Sequence, residues 1–181
     1  FLDQHSIKPT SIEKGFDEWF APSQFGGRAV YPASIVKSPV TGKFQMYYWV
    51  NGGLDFADSG WSGGSSVTCY AESTDGVNWS MPNLKRVKVF GSTDNNVMFP
   101  PGSYPYVVLD DHETDQSRRY KAYIHPGPRI AFSPDGINWS SEKKGKIETA
   151  IGRSDGDTFF GWDELHQKYV AYLRPWKACP D

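Results

Sequence analysis

The octapeptide Ser73-Thr74-Asp75-Gly76-Val77-Asn78-Trp79-Ser80 returns as Ser133-Pro134-Asp135-Gly136-Ile137-Asn138-Trp139-Ser140, identical at six of eight positions and with Ile for Val at a seventh. This recurrence limits the fold more than any other feature of the chain. Asp-Gly makes a tight hairpin turn because Gly takes a positive φ at no steric cost. The Asp carboxylate can accept hydrogen bonds from the turn amides, and the Trp three residues after the Gly re-enters the sheet as a large apolar anchor. Each copy is expected to be the last hairpin of one structural unit.

A second repeat lies upstream. Lys43-Phe44-Gln45-Met46-Tyr47, Arg119-Tyr120-Lys121-Ala122-Tyr123 and Lys168-Tyr169-Val170-Ala171-Tyr172 each carry a basic residue, an aromatic, and a Tyr three further on. A turn precedes each one: Pro39 to Gly42, Asp115 to Ser117, and Asp163 to His166. Before each turn runs an apolar stretch, at Ala33 to Val36, Tyr106 to Leu109 and Thr158 to Trp162. The unit therefore reads strand, turn, aromatic strand, loop, strand, Asp-Gly turn, Trp strand.

Four antiparallel strands repeated at a long period are the sequence form of a β-propeller blade. The alternative is a β-sandwich with two similar hairpins, but both motifs recur in the same order, which favours the propeller. The predicted organisation is an N-terminal arm over residues 1–28, blade one and a linker over 29–100, blade two and a linker over 101–154, and the start of blade three over 155–181. About two and a half blades would leave an apolar face and an unpaired edge, which soluble proteins cover. The expected cover is the remaining half of the propeller, from the same polypeptide or a second chain.

Composition agrees with an all-β chain. Aromatics are 15% of the 181 residues, and Gly 18 and Pro 13 punctuate the short runs between them. No stretch holds an apolar 3.6 period long enough for a confident helix. A net charge of −2 and a pI near 6.1 argue against nucleic acid or an anionic membrane as partner. The basic run Lys85 to Lys88 is short enough to be a solvated strand edge, and no apolar run approaches the ~18 residues that span a bilayer. The four histidines show no metal-ligand spacing, and there is no nucleophile elbow, phosphate loop or dinucleotide fingerprint. Neither a metal nor a cofactor is expected.

Two sequons, Asn78-Trp79-Ser80 and Asn138-Trp139-Ser140, make Asn78 and Asn138 glycosylation candidates and fit a secreted, extracellular protein. A removed leader would explain why the chain starts at Phe1 rather than Met, as would excision from a longer chain. Cys69 and Cys179 are the two cysteines. They are candidates for a disulfide, or else a buried Cys69 beside a free thiol near the C-terminus.

The chain resembles secreted five-bladed propellers related to glycoside hydrolase families 32 and 43. The residues that carry this are Phe1 to Ile7, Lys43 to Tyr48, Cys69-Tyr70-Ala71-Glu72-Ser73-Thr74-Asp75-Gly76-Val77-Asn78-Trp79 with Pro82-Asn83-Leu84, Gly91 to Val97, Arg119 to Ala122, Ala131 to Trp139, and Trp162 to Arg174. The resemblance implies a glycan in a central funnel, and in the enzymes of those families three carboxylates act on it. Cleavage needs one carboxylic acid at the leaving oxygen and one carboxylate opposite. Asp157 falls at the place of the Asp that steadies the transition state, without that motif's Arg or Pro. Tyr31 stands where the first catalytic Asp would be, and the acid Glu would follow residue 181. The resemblance thus gives Asp157 as catalytic candidate with an incomplete set, a turn Asp being the alternative.

Tyr31 and Tyr104, at the starts of inner strands, are candidate sugar platforms, a plain inner-strand aromatic being the alternative for Tyr31. Tyr31 could instead serve as a nucleophile, like the Tyr of sialidases. Arg129 is placed to reach a substrate carboxylate or sulfate, unless it pairs with a nearby acid at a strand edge. Two functions follow: a glycoside hydrolase-like propeller acting on or binding a glycan, or a non-catalytic carbohydrate- or protein-binding module.

Overall fold

The computed structural model describes residues 29–51, 66–88, 92–100, 102–125, 129–140, 143–144 and 154–175. The expected arm over residues 1–28 lies outside them, as does Cys179. The described residues are all-β, in three antiparallel sheets. Their longest helical segment is a single 3₁₀ turn, Gln116–Arg118.

Sheet one takes its strands in chain order: β1 (Ala29–Lys37), β2 (Phe44–Asn51), β3 (Ser66–Ser73) and β4 (Val97–Phe99). Sheet two repeats the pattern with β5 (Tyr104–Leu109), β6 (Tyr120–His125), β7 (Arg129–Ser133) and β8 (Lys143–Lys144). β9 (Ser154–Asp163) and β10 (Lys168–Pro175) form a third, two-stranded sheet. The first strand of each four-stranded sheet is an edge, and both contain a proline, Pro32 and Pro105. Proline lacks the N–H that a central strand must donate, so an edge is where it fits. At Pro32 the register with β2 slips by a residue before Ser34 resumes pairing.

The two Asp-Gly turns are near copies in three dimensions. Ser73 Oγ accepts from the amides of Asp75 and Gly76, and Asp75 Oδ1 accepts from Val77 N at 2.8 Å and Asn78 N at 2.7 Å. In the second unit Asp135 Oδ1 takes the amides of Ile137 and Asn138 at the same 2.8 and 2.7 Å. The glycines sit at φ 76° and 78°. Sequence and geometry therefore repeat together.

The last strand of unit one differs from expectation. After Trp79 the chain makes one bridge, Ser80 to Glu72, and the fourth strand forms only at Val97–Phe99. Pro82 follows two residues after that bridge and cannot donate to a ladder, which stops the pairing. In unit two, where no proline follows, Ser140 N donates to Phe132 O and β8 comes next on Arg129 and Ile130. Trp79 and Trp139 occupy equivalent positions but are half-buried, each packed on the edge of a core.

Sheet one is buried on both faces. Met46, Tyr48 and Val50 lie opposite Ala71, Cys69 and Val67 and fill one core. Tyr47 and Tyr70, on the other face, meet Val107, Tyr120, Ala122, Ile124 and Ala131 of sheet two in a second core. Sheets stack through this second core, and Val107 N donates to Ser34 Oγ at 2.8 Å to join the two first strands. β5 in turn packs against β9. The order of contact, β1 to β5 to β9, runs first strand to first strand.

Candidate functional site

The starts of the first strands come together with one end of β2 and β6. Trp49 is the register partner of Tyr31, and its ring meets Tyr104 at 5.2 Å and Tyr106 at 5.3 Å between centroids, both edge to face. Tyr104 lies opposite His125 in the ladder, with their rings 5.9 Å apart. Arg129 Nη2 donates to the carbonyl of His125 at 3.4 Å. Trp49, Tyr104, Tyr106, His125 and Arg129 are all half-buried. Edge-to-face rings of this kind hold one another at fixed angles.

Of the residues expected from sequence, Tyr104 is paired with His125, while Arg129 is paired with Ile124 and so stands on the opposite face of the sheet, reaching His125 only at its backbone carbonyl. Tyr31 takes its place by register on β1, and Asp157 pairs with Leu173 near the start of β9; the side chains of both fall outside what is described. Ser103 is buried, and its carbonyl accepts from Thr68 Oγ1 at 2.6 Å. Trp49 and His125 went unrecognised as site residues. Trp49 sits two positions beyond Tyr47 in a strand whose side chains alternate, and His125 directly precedes the Pro126-Gly127-Pro128 punctuation, so both signals were in the chain.

The glycosylation candidates lie in the two turns. Asn78 and Asn138 are exposed, and each Nδ2 donates to its turn carboxylate, Asp75 or Asp135, at 2.7 Å. Asn138 also accepts from Arg86 Nη1 at 3.2 Å. Cys69 has a free thiol within the first core, where burial pushes it well above the usual thiol range.

The opposite ends of the first strands carry a different chemistry. An open groove of ≈ 760 Å³ runs between the end of β1 and the end of β5, with Ile35, Val36, Val107 and Leu109 among its walls and Lys37 and Asp111 beside them. Nearby, Lys121 Nζ lies 2.8 Å from Asp110 Oδ2 and 2.9 Å from Glu113 Oε2, with Lys121 and Asp110 almost fully buried. Burial alone would raise the Asp110 carboxyl. Hydrogen bonds from Lys121, Tyr169 and the His112 amide outweigh it and leave the group below the usual carboxylate range. This cluster holds the β5–β6 hairpin against Tyr169 of sheet three; its charges are spent on one another. Among the described residues no group of His, Cys, Asp and Glu is arranged to hold a metal ion, and no helix is long and apolar enough to cross a membrane.

No protein-family model, no curated protein and no solved structure matches this chain.

Proposed function

We propose that the chain is a glycan-handling β-propeller of the glycoside hydrolase kind, with the sugar received at the end of the first strands beside Trp49 and Tyr104. One observation carries this reading: a half-buried cluster of aromatic rings, Trp49, Tyr104 and Tyr106, built where consecutive sheets bring their first strands together. Aromatic rings suit the C–H face of a pyranose, and polar arms at the edge fix its orientation. The sequential contact of β1, β5 and β9 supports the propeller, because in that architecture the first strands gather round a common channel.

Binding is the part of this function that rests on described side chains. Hydrolysis needs two carboxyl groups across the scissile bond. Asp157 is the one candidate, and Tyr31 occupies the position of the other, so the catalytic set is incomplete in this chain. A secreted location follows from the same reading and the two sequons. The test is to incubate the protein with a panel of oligosaccharides and measure both affinity and new reducing ends. Binding without turnover identifies a recognition module. Turnover abolished by Asp157→Asn, with the melting temperature unchanged, identifies a hydrolase. Neither binding nor turnover across the panel overturns the reading.

A further inference from the structure

The first strands carry a second binding surface at their hairpin ends, and we infer that it takes an extended peptide segment as an added strand. Ser38 N donates to Lys43 O and Asp110 N to Arg119 O, which closes the β1–β2 and β5–β6 ladders at that end. In an antiparallel pair every second residue turns its N–H and C=O away from the partner strand. By their registers those residues are Ile35 and Lys37 in β1 and Val107 and Leu109 in β5. Val107 N uses its outward direction to reach Ser34 Oγ at 2.8 Å, so the outer edge of β5 faces β1. The open groove of ≈ 760 Å³ lies just beyond that contact, between the ends of the two strands.

An exposed edge is a template for another strand unless something blunts it. Proline does so near the start of each first strand, at Pro32 and Pro105, but residues 35–37 and 107–109 contain none. Ile35 stays 53% exposed on this edge. The groove walls are aliphatic, with Ile35, Val36, Val108 and Leu109 but no aromatic ring, unlike the cluster of Trp49 and Tyr104 at the other end. A pyranose therefore finds no ring to stack on here. A peptide strand offers N–H and C=O groups to the edge and aliphatic side chains to the walls.

Charge narrows the kind of peptide. The charged side chains of the groove are Lys37 on β1 and Asp111 just after β5, both exposed. The Lys37 ammonium rests 5.4 Å from the Phe44 ring centre, which keeps it at the rim. Neighbouring charges are engaged elsewhere: Lys43 by Glu72, Asp110 and Glu113 by Lys121, and Arg118 on the Phe132 ring. His112 Nε2 lies 3.5 Å from Glu164 of the β9–β10 turn. A cation on the strand that receives the peptide and an anion across the groove fit a segment with an acidic residue beside Lys37 and a basic one toward Asp111.

The experiment is selection of random nonapeptides displayed on phage against the full chain, then titration of the enriched peptide in synthetic form. The expected pattern is aliphatic residues at alternate positions with an acidic residue among them. Methylating the peptide nitrogens one at a time should weaken binding about 10-fold at alternate positions only, because every second N–H faces β1. Lys37→Glu, with an unchanged melting curve, should weaken the peptide about 5- to 10-fold, and changing the peptide's acid to lysine should restore it. The methylation series uses the unaltered chain, so it decides the matter even if that variant misfolds. No enriched pattern, equal effects of methylation at every position, or indifference to Lys37→Glu overturns the inference. Displacement of the peptide by an oligosaccharide of the binding panel would make the groove a glycan site and overturns it too.

Discussion

The hydroxyl of Tyr47 donates a 2.7 Å hydrogen bond to the carbonyl of Gly136, joining the second strand of sheet one to the repeated turn of unit two. Gln45 Nε2 donates to the neighbouring carbonyl of Asp135 at 2.9 Å, so the turn is held at two successive peptides. Trp139, three residues on, packs edge to face on Tyr47 and also meets Phe99. The turn of unit two is thus an inter-sheet joint, while its copy in unit one, Asp75-Gly76-Val77, is exposed.

The two turn glycines should respond differently to the same substitution. Both have positive φ, so alanine at either costs about 1–2 kcal/mol of backbone strain. A Cβ on Gly76 meets Phe44 at an ordinary 3.7 Å, whereas on Gly136 it overlaps the Tyr47 hydroxyl and presses on Tyr120 and Gln45. Overpacking adds about 1–3 kcal/mol. Urea unfolding of Gly136→Ala should therefore show roughly twice the loss of Gly76→Ala; equal losses would mean the joint is not formed.

The buried Lys121 cluster gives a pH prediction. Asp110 and Glu113 have lowered carboxyl values in the fold, so their stabilisation is present above the unfolded carboxylate range and is lost as pH falls through the folded values. Lys121→Met leaves the partly buried Asp110 carboxylate without its closest partner, which costs about 1–3 kcal/mol near neutral pH. Protonating Asp110 relieves that penalty. The stability gap between wild type and Lys121→Met should narrow as pH drops from 7 through about 4. A gap constant with pH would contradict the ion-pair role.

Cys69 offers a third test. Its thiol is enclosed by the first core, beside the Tyr48 hydroxyl that Asn96 also contacts at 2.6 Å, and burial holds it protonated. With Cys179 replaced by Ser, the native protein should not react with a thiol reagent at pH 8, and one thiol should appear in denaturant. Reaction at a rate typical of an exposed thiol would contradict the packing.

The hairpins were legible because their chemistry is local. Asp75 and Gly76 specify a turn without reference to the rest of the chain, and the same is true of Asp163, which accepts from the amides of Leu165 and His166 at the β9–β10 turn. The fourth strand of unit one was not legible, because β4 is chosen by pairing with Thr68 and Cys69 rather than by adjacency to Trp79. The site was readable in part. Alternation puts Tyr47 and Trp49 on one face of β2, but only the assembled sheets show that Tyr47 is sealed in the core while Trp49 reaches the open end. Lys121 matches the position of Gln45 in the repeat, yet one is engaged by acids of its own hairpin and the other by the next turn. Such divergence depends on neighbours that a repeat alone does not name.

The most direct test of the account is calorimetric titration of an oligosaccharide retained in the binding panel into wild type, Trp49→Ala and Trp79→Ala. Each variant truncates a half-buried tryptophan of unit one, but only Trp49 stands at the proposed sugar platform. Losing a stacking ring costs binding about 1–3 kcal/mol, or roughly 5- to 150-fold in affinity. The account predicts that loss for Trp49→Ala and an affinity within twofold of wild type for Trp79→Ala, with both variants folded by circular dichroism. Equal affinity in all three proteins would place the glycan elsewhere and contradict the central claim.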